Sequence, residues 1–322
     1  MSNVKKILLL PHIKVHNANA LSSPFTIGFP AMTAWLGAVH ALQRKLNSNG
    51  FTEIKFNAVG VISHHFDLQT YKGVGDKEHS IIIAKRPSFT KKELAKFNAG
   101  KAPTFIEEAR CHLDVSLVIE YAGIEKDDEA LAQEKIMHIL HSSMKMAGGD
   151  ISSFKAPEIF KIENGNSSDL HSLTRKIMPG YALIERRDLM LEAMESGQDA
   201  MDALLDFLVI HHQCNTQLND QDNEQVTWSS ERKTKGWLVP IATGFHGLTD
   251  LGEAKNQRDP NTPHRFAESV VTLGEFKMPH KITNIDEILW RYQTDKLNNL
   301  YLCKQHDKIQ AKPEDILSDL FT

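Results

Sequence analysis

Three histidines near the start of the chain, His12, His16 and His40, are of a type that performs acid–base chemistry. Imidazoles change charge near neutral pH, so they can serve as general acid and general base without a metal ion. The sequence therefore allows a metal-independent endoribonuclease. The simpler alternative is that these rings act as donors and acceptors at a polar surface.

Metal and cofactor chemistry finds little support in the sequence. The pairs His64-His65 and His211-His212 are adjacent residues, whose side chains point to opposite faces if they lie in strands. Cys111, Cys214 and Cys303 are far apart and form no zinc-binding spacing. Phosphate-binding loops, dinucleotide fingerprints and the common hydrolase and zinc-protease motifs are also missing. We predict neither metal nor cofactor, and an enzyme acting on a small molecule through another kind of site stays an alternative.

Basic residues stand beside aromatic residues or turns in three later places. Arg175 and Arg187 flank a predicted strand at 181–185, Trp237 follows two lysines, and Arg265 precedes Phe266. Such clusters suit single-stranded nucleic acid, whose phosphates attract cations and whose bases stack on rings. The alternative for each cluster is an ordinary solvated surface.

The charge of the chain is unevenly distributed. With 37 Lys and Arg against 41 Asp and Glu, the net charge is −4, which excludes a protein that is basic throughout. Residues 1–52 nevertheless hold five basic residues and no acid, whereas 192–224 hold eight acids and no Lys or Arg. A partner at contact range responds to the local field, because salt screens more distant charges. The start is a candidate anion-binding face, and the acidic stretch 188–224 is expected to face solvent or a basic partner.

The candidate residues lie on a regular series of predicted elements. A strand at 7–16 is followed by a loop at 17–30 and by a helix at 30–46. Gly37 within this helix either permits close packing, which is the favoured interpretation, or leaves room for a ligand. The next elements are a strand at 54–66 interrupted at Gly60, a strand at 113–120, a helix at 129–146 and a strand at 181–185. This order is the β-α-β-β-α-β pattern of ferredoxin-like folds, with a hairpin or finger inserted at about 67–109.

The remainder of the chain adds helical and strand segments to this core. We expect an acidic helix at 188–212 broken at Gly197, a polar loop at 215–235, strands at 237–241 and 266–276, and a C-terminal helix from about Asn284. The predicted class is α+β. The predicted divisions are a core at 1–187, an acidic helical segment with its loop at 188–235, and C-terminal strands and helix at 236–322 that pack on the core.

Composition and cysteine usage indicate the compartment. A hydrophobic content of 41% is too high for a disordered chain. The apolar runs are too short for a secretory signal or a bilayer span, and an odd number of cysteines suits no disulfide framework. These features predict a soluble cytoplasmic protein that contacts no membrane.

Seven stretches, taken in order, resemble one known family of proteins. They are LLPHIKVHNANALSSPFTIGFP at 9–30, GAVHALQR at 37–44, EARCHLDVSL at 108–117, MAGG at 146–149, PGYAL at 179–183, GWLVP at 236–240 and PHRF at 263–266. Together they resemble the Csy-type subunit that holds the crRNA 5′ handle in the type I-F CRISPR surveillance complex. That subunit belongs to the repeat-associated (RAMP) superfamily.

The resemblance implies a fold, a role and partners. The fold would be an RNA-recognition-like (RRM-like) RAMP core. The role would be non-catalytic: gripping the crRNA 5′ handle, pairing with the large subunit as a heterodimer and contacting the adjacent backbone subunit, with target DNA nearby. A separate protein cuts the precursor RNA in this family, which makes the nuclease the weaker alternative.

The resemblance also suggests which residues contact RNA. Asn17, Asn19, Ser22 and Ser23 would read handle nucleotides through amides, hydroxyls and turn N–H groups, because unpaired bases expose all their edges. The basic and ring-bearing residues would contact phosphates or stack. The full set of expected RNA contacts comprises Asn17, Asn19, Ser22, Ser23, Gly28, Phe29, His40, Arg44, Arg110, His112, Arg175, Arg187, Trp237, Arg265 and Phe266.

Overall fold

The structure is a computed structural model that describes residues 4–82, 91, 95, 108–163, 167–218, 224–257 and 259–305. Most of the insertion predicted at 67–109 and the end of the predicted 236–322 segment lie outside these residues. In the described part, no helix is long and apolar enough to cross a bilayer.

The chain forms a mixed α/β fold with a large antiparallel sheet and few helices. The helices are α1 (Met32–Ser48), α2 (Glu129–Ser143), α3 (Ser167–Ile177), α4 (Arg187–Glu195) and α5 (Ala200–Leu208), with 3₁₀ turns at Lys126–Asp128, Pro279–Lys281 and Ile285–Ile288. The strands are β1 (Val4–Asn19), β2 (Leu21–Ser23), β3 (Thr26–Ile27), β4 (Lys55–Leu68), β5 (Thr70–Tyr71), β6 (Ser80–Ile81), β7 (Arg110–Ala122), β8 (Lys145–Met146), β9 (Gly149–Ser153), β10 (Glu158–Glu163), β11 (Tyr181–Glu185), β12 (His211–Leu218), β13 (Glu224–Glu231), β14 (Leu238–Gly247), β15 (Ala267–Lys277), β16 (Arg291–Asp295) and β17 (Leu300–Lys304).

The strand predicted at 181–185 occupies another place in the sheet than the predicted pattern gives it. β1 pairs with β7 on one side and with β10 and β9 on the other, and β7 lies between β1 and β4, with α1 joining β1 to β4 and α2 following β7. The predicted strand at 181–185 does form, as β11, but it pairs with β4 and β15 on the far side from β1. Two unpredicted strands pair with the outer side of β1: β10 with its first half and β9 with its second half. β10 is a short segment whose apolar residues show little periodicity.

Two apolar clusters lie on opposite faces of the sheet. On β1, Leu8 and Leu10 pack with α1 and α2, while Ile7 and Leu9 pack in the second cluster with α3. On β7, the odd-numbered residues from Cys111 to Leu117 belong to the apolar cluster that contains α1. The polar side chains between them therefore point to the other face of the sheet. α3 and the segment 282–289 cover part of that second face, and beyond them it carries the polar side chains of β7.

Several predicted elements formed with changed limits. β1 continues through Asn19, so the predicted loop begins with paired strand residues. β4 runs through Gly60 without interruption, and a Cβ there would lie 3.1 Å from the carbonyl oxygen of Ile288. The missing side chain at Gly60 therefore lets the C-terminal segment around Ile288 pack closely against β4. The predicted break at Gly197 is confirmed between α4 and α5.

Two predictions for the second half of the chain were wrong. The predicted polar loop at 215–235 contains most of a hairpin of β12 and β13, whose polar sequence gave no hydrophobic period. The predicted C-terminal helix is a 3₁₀ turn followed by two strands. Trp290 donates its backbone N–H to the carbonyl of Val59 (2.9 Å) and accepts the N–H of Val59 (3.0 Å), and its indole donates to the carbonyl of Leu183 (2.9 Å). These long-range bonds use the backbone groups that a helix would need.

Candidate nucleic-acid interface

Asn17 lies near the end of β1, in a left-handed backbone conformation. Its φ is 59°, a value that Asn adopts more readily than most residues, and a register shift separates Val15 from Ala18. The backbone N–H of Asn17 donates to Nδ1 of His112 (3.1 Å), and its side-chain oxygen accepts from Nε2 of Gln69 (3.1 Å). The side chain is exposed. Its own strand β1, His112 of β7 and Gln69 of the connection between β4 and β5 thus fix its position at the surface.

Asn19 closes the turn that leaves β1. Its Nδ2 donates to the carbonyl of Leu21 (3.0 Å), and its Oδ1 accepts from the N–H of the same residue (3.2 Å). Its backbone N–H donates to the carbonyl of Ala147 (2.8 Å), and in the sheet it pairs with Arg110. The exposed amide is therefore held in one orientation.

The segment 21–27 is a small hairpin of β2 and β3, built around Thr26. The Thr26 hydroxyl bonds those of Ser22 (2.9 Å) and Ser23 (2.7 Å), and Ser23 also accepts the N–H of Phe25 (3.1 Å). Ser22 is half-buried, but only 5% of Ser23 is exposed. The Ser23 hydroxyl thus stabilises the turn, and its predicted contact with a nucleotide stays a prediction.

Two aromatic residues of this segment have opposite environments. Phe29 is 6% exposed and packs against Trp35 (ring centroids 5.6 Å apart) and Phe276 (5.4 Å), so this predicted RNA contact is a core residue. Phe25, at the tip of the hairpin, is 74% exposed and was not predicted. The available sequence signal was an aromatic residue directly after Pro24 in a turn. Gly28, half-buried, donates its N–H to the carbonyl of Ala20 (2.8 Å).

A groove, here called the α1 groove, runs between α1 and the turn after α2. It has a volume of about 450 Å³, and its lining includes Asn19, Ser22, Gly37, Lys145 and Gly148. A Cβ on Gly37 would meet no atom within 4 Å. Gly37 therefore leaves open space at the groove, so the structure supports the second of its two expected roles, room for a ligand, and not the favoured role in close packing.

Arg110 lies at the border of this groove. Its Nη1 is 4.0 Å from the position of a Cβ on Gly148, and its Nη2 donates to the Glu108 carboxylate (2.6 Å). The guanidinium is half-buried. Glu108 neutralises part of its charge, so a phosphate would compete with Glu108 for this cation.

Histidines dominate the polar face next to the groove. His112 stacks on His16, with ring centroids 4.4 Å apart. A cleft of about 380 Å³ is lined by both rings together with Lys14, His65 and Asp114. The arrangement offers flat rings and hydrogen-bonding nitrogens to an unpaired strand.

The histidines considered for acid–base cleavage do not meet at one point. His12 stacks on His64 (4.1 Å) and His16 on His112, whereas His40 lies on α1, which packs on the other face of the sheet. His40 is exposed and lines a separate cavity with Tyr292 and Tyr301. The geometry gives these three rings no shared substrate position.

The remaining predicted contacts lie at other places on the molecule. Arg44 is exposed on α1, Arg175 is exposed on α3 across the sheet, and Arg187 is in an ion pair with Glu185. Trp237 is 50% exposed at the start of β14 and contacts Phe276. Arg265 donates to Oδ1 of Asn299 (2.9 Å), and Phe266 is 62% exposed beside His264. The structure thus unites Asn17, Asn19, Ser22, Arg110 and His112, with Ser23 and Gly28 in the same hairpin segment. The other predicted contacts lie in the core or elsewhere on the molecule.

Two comparisons with known proteins point to the same family. A family model described as CRISPR-associated protein (Cas_Csy2) matches residues 8–303. The chain is 32% identical over 324 aligned positions to the CRISPR-associated protein Csy2 of Pseudomonas aeruginosa (strain UCBPP-PA14). The alignment covers 94% of this chain and 95% of that protein.

Proposed function

The chain belongs to the Csy2 family of CRISPR-associated proteins, and from this membership we propose that it is a non-catalytic RNA-binding subunit that grips the crRNA 5′ handle. Membership itself makes the chain a subunit of a type I-F Csy complex, which acts in antiviral defence. The grip on the handle is the specific part of the proposal.

One observation carries this proposal: the meeting of Asn17, Asn19, Ser22, Arg110 and His112 at the ends of β1 and β7. Sheet pairing and side-chain hydrogen bonds hold these polar groups in fixed orientations at a surface. Fixed amides and imidazoles can distinguish the edges of unpaired bases, and a neighbouring guanidinium can hold a phosphate. The α1 groove beside them supplies room for the chain of nucleotides.

The topology supports a ferredoxin-like RAMP core as part of this proposal. If the short strands between them are left aside, β1, α1, β4, β7, α2 and β10 follow one another as in a β-α-β-β-α-β unit, and β1 pairs with both β10 and β7. β10 then takes the place that the sequence assigned to 181–185. RNA-recognition modules bind unpaired bases on such sheets.

The proposed protein partners are the large subunit of the complex, as a heterodimer partner, and the adjacent backbone subunit. The pair α4 and α5 supports this, because it combines acidic residues with exposed Met194, Met201 and Leu205. Apolar side chains within an acidic surface suit a basic partner protein better than RNA. Target DNA would lie near this subunit through its partner.

The central test measures binding of labelled RNA that carries the handle, against RNA with a scrambled handle. We expect the double substitution Asn17→Ala and Asn19→Ala to weaken handle binding at least tenfold while scrambled RNA is little affected. Asn215→Ala, at an exposed position of β12, is the matched control. Equal losses for both RNAs would show that these amides do not read bases.

Electrostatic contacts are tested by salt dependence. Removing one phosphate contact from a single strand should reduce the slope of log affinity against log salt by about 0.7. We expect this for Arg110→Ala and for Arg44→Ala, and we expect Glu108→Gln to strengthen binding by freeing Arg110. An unchanged slope would remove the phosphate assignment for the residue concerned.

The alternative activity is tested directly by incubating the purified protein with repeat RNA and a metal chelator. The proposed role predicts intact RNA. A specific cut within the repeat would instead establish a metal-independent endoribonuclease.

A further inference from the structure

Three side chains outside the proposed RNA contacts meet on the polar face of the sheet. His12, His64 and Asp114 come from the adjacent strands β1, β4 and β7, and each offers one ligand atom within 4.8 Å of the other two. All three side chains are partly buried. Two imidazoles and one carboxylate from three strands form a compact set of donors.

His64 is held in the orientation and tautomer of a metal ligand. Its Nδ1 lies 2.6 Å from the carbonyl oxygen of Pro179, which can only accept, so this nitrogen carries the hydrogen. Its Nε2 therefore has a free electron pair, directed at the hydroxyl of Ser116 (2.7 Å). A histidine that binds a metal through one nitrogen commonly donates the other N–H to a carbonyl or carboxylate.

His12 is placed by an unusual backbone. Its φ of 51° lies in the left-handed region, at a register shift between Leu10 and Ile13. Its backbone N–H donates to the Ser116 hydroxyl (3.0 Å), and its Nδ1 lies 3.1 Å from the Asp114 carboxylate. Such conformations are uncommon outside glycine and concentrate at functional sites.

The charges of these groups suit a bound cation. The rings of His12 and His64 stack with their centroids 4.1 Å apart, and a ligand nitrogen of each ring lies within 4.8 Å of a carboxylate oxygen of Asp114. Neutral imidazole binds metal ions, and Asp114 supplies negative charge that offsets part of the charge of the ion.

We propose that His12, His64 and Asp114 bind one divalent transition-metal ion, for which zinc is the natural probe. Two imidazole nitrogens and a carboxylate suit zinc, whereas magnesium and calcium prefer oxygen alone. At metal distances of about 2.1 Å, tetrahedral ligands lie about 3.4 Å apart, whereas these ligand atoms are up to 4.8 Å apart. Binding therefore requires the stacked rings of His12 and His64 to rotate until their nitrogens converge on the ion. The Ser116 hydroxyl then releases Nε2 of His64, and water or an RNA phosphate oxygen completes the coordination.

Metal binding is tested on tag-free protein freed of metal by a chelator. Calorimetric titration with zinc chloride should show one strong site per chain, and Co²⁺ should give a visible spectrum typical of tetrahedral coordination. His12→Asn and Asp114→Asn should each weaken zinc binding at least tenfold, since Asn tolerates the left-handed backbone at position 12. His138→Ala, an exposed histidine on α2, is the matched control and should change nothing.

A second measurement uses only the unaltered protein, in case a variant does not fold. Bound zinc should protect His12 and His64, but not His138, from carbethoxylation mapped by mass spectrometry. No strong site, a site unaffected by folded His12→Asn and Asp114→Asn variants, or the absence of protection would each overturn the proposal. No RNA enters these experiments, so their outcome is independent of handle binding.

Discussion

Substitutions at Gly37 test whether the α1 groove is open space in the free protein and whether RNA binds in it. A helix-interior glycine costs about 1 kcal/mol relative to alanine. A Cβ here would meet no atom within 4 Å, so no steric penalty opposes that gain. We therefore expect Gly37→Ala to raise the free energy of unfolding by about 1 kcal/mol. For a chain of this size, that corresponds to roughly 2 °C in melting temperature.

Gly37→Leu should separate stability from binding. Leucine keeps most of the gain in helix propensity, but its side chain enters the groove beside Asn19 and Gly148. We expect a folded protein whose affinity for handle RNA falls at least tenfold, or about 1.4 kcal/mol. Glu134→Leu, on the exposed face of α2, is the control for added surface hydrophobicity.

Urea unfolding followed by circular dichroism and RNA binding by fluorescence anisotropy measure the two effects. A loss of stability in Gly37→Ala would show that the space beside α1 is not open. Wild-type RNA affinity in a folded Gly37→Leu variant would show that RNA does not occupy this groove.

Three further predictions concern single side chains. Phe29→Ala should lower the free energy of unfolding by about 3–5 kcal/mol in urea titrations, because it empties a core site, whereas unchanged stability would contradict its burial. Phe25→Ala should leave the unfolding midpoint nearly constant but cost about 1–3 kcal/mol of RNA binding if a base stacks there, and unaltered affinity would exclude stacking. Iodoacetamide at pH 8 should label the exposed Cys214 of native protein, as read by mass spectrometry. It should spare Cys111 and Cys303, whose pKa burial raises to about 12 so that both stay protonated thiols, and rapid labelling of either would refute that burial.

Helices and strands were predicted well from the sequence where their apolar side chains recur at a clear interval. The strand predicted at 113–120 lies within β7, and the helix predicted at 30–46 forms at Met32–Ser48. Both contain apolar residues at regular intervals, because one side of each packs against the core. The hairpin of β12 and β13 has no apolar side of this kind, so its pairing left no period to detect.

The candidate site was predictable as a segment but not as a set of contacts. Residues 17–23 supplied the amides and hydroxyls, yet Ser23 is buried in the turn. Local sequence could not show that Phe29 turns inward, because one of its packing partners, Phe276, comes from the distant strand β15. Nor could it show that β7 and Gln69 would hold Asn17.

The sequence by itself determined the basic, acid-free start, the acidic stretch and the order of motifs that identifies the family. Tertiary structure alone decided which side chains meet. The register shifts in β1 choose the face to which each following residue points, and they depend on pairing with β7, about a hundred residues away. Those shifts place Asn17 beside His112, and His12 beside His64 and Asp114. These contacts join different strands, so the residue spacing within one segment cannot predict them.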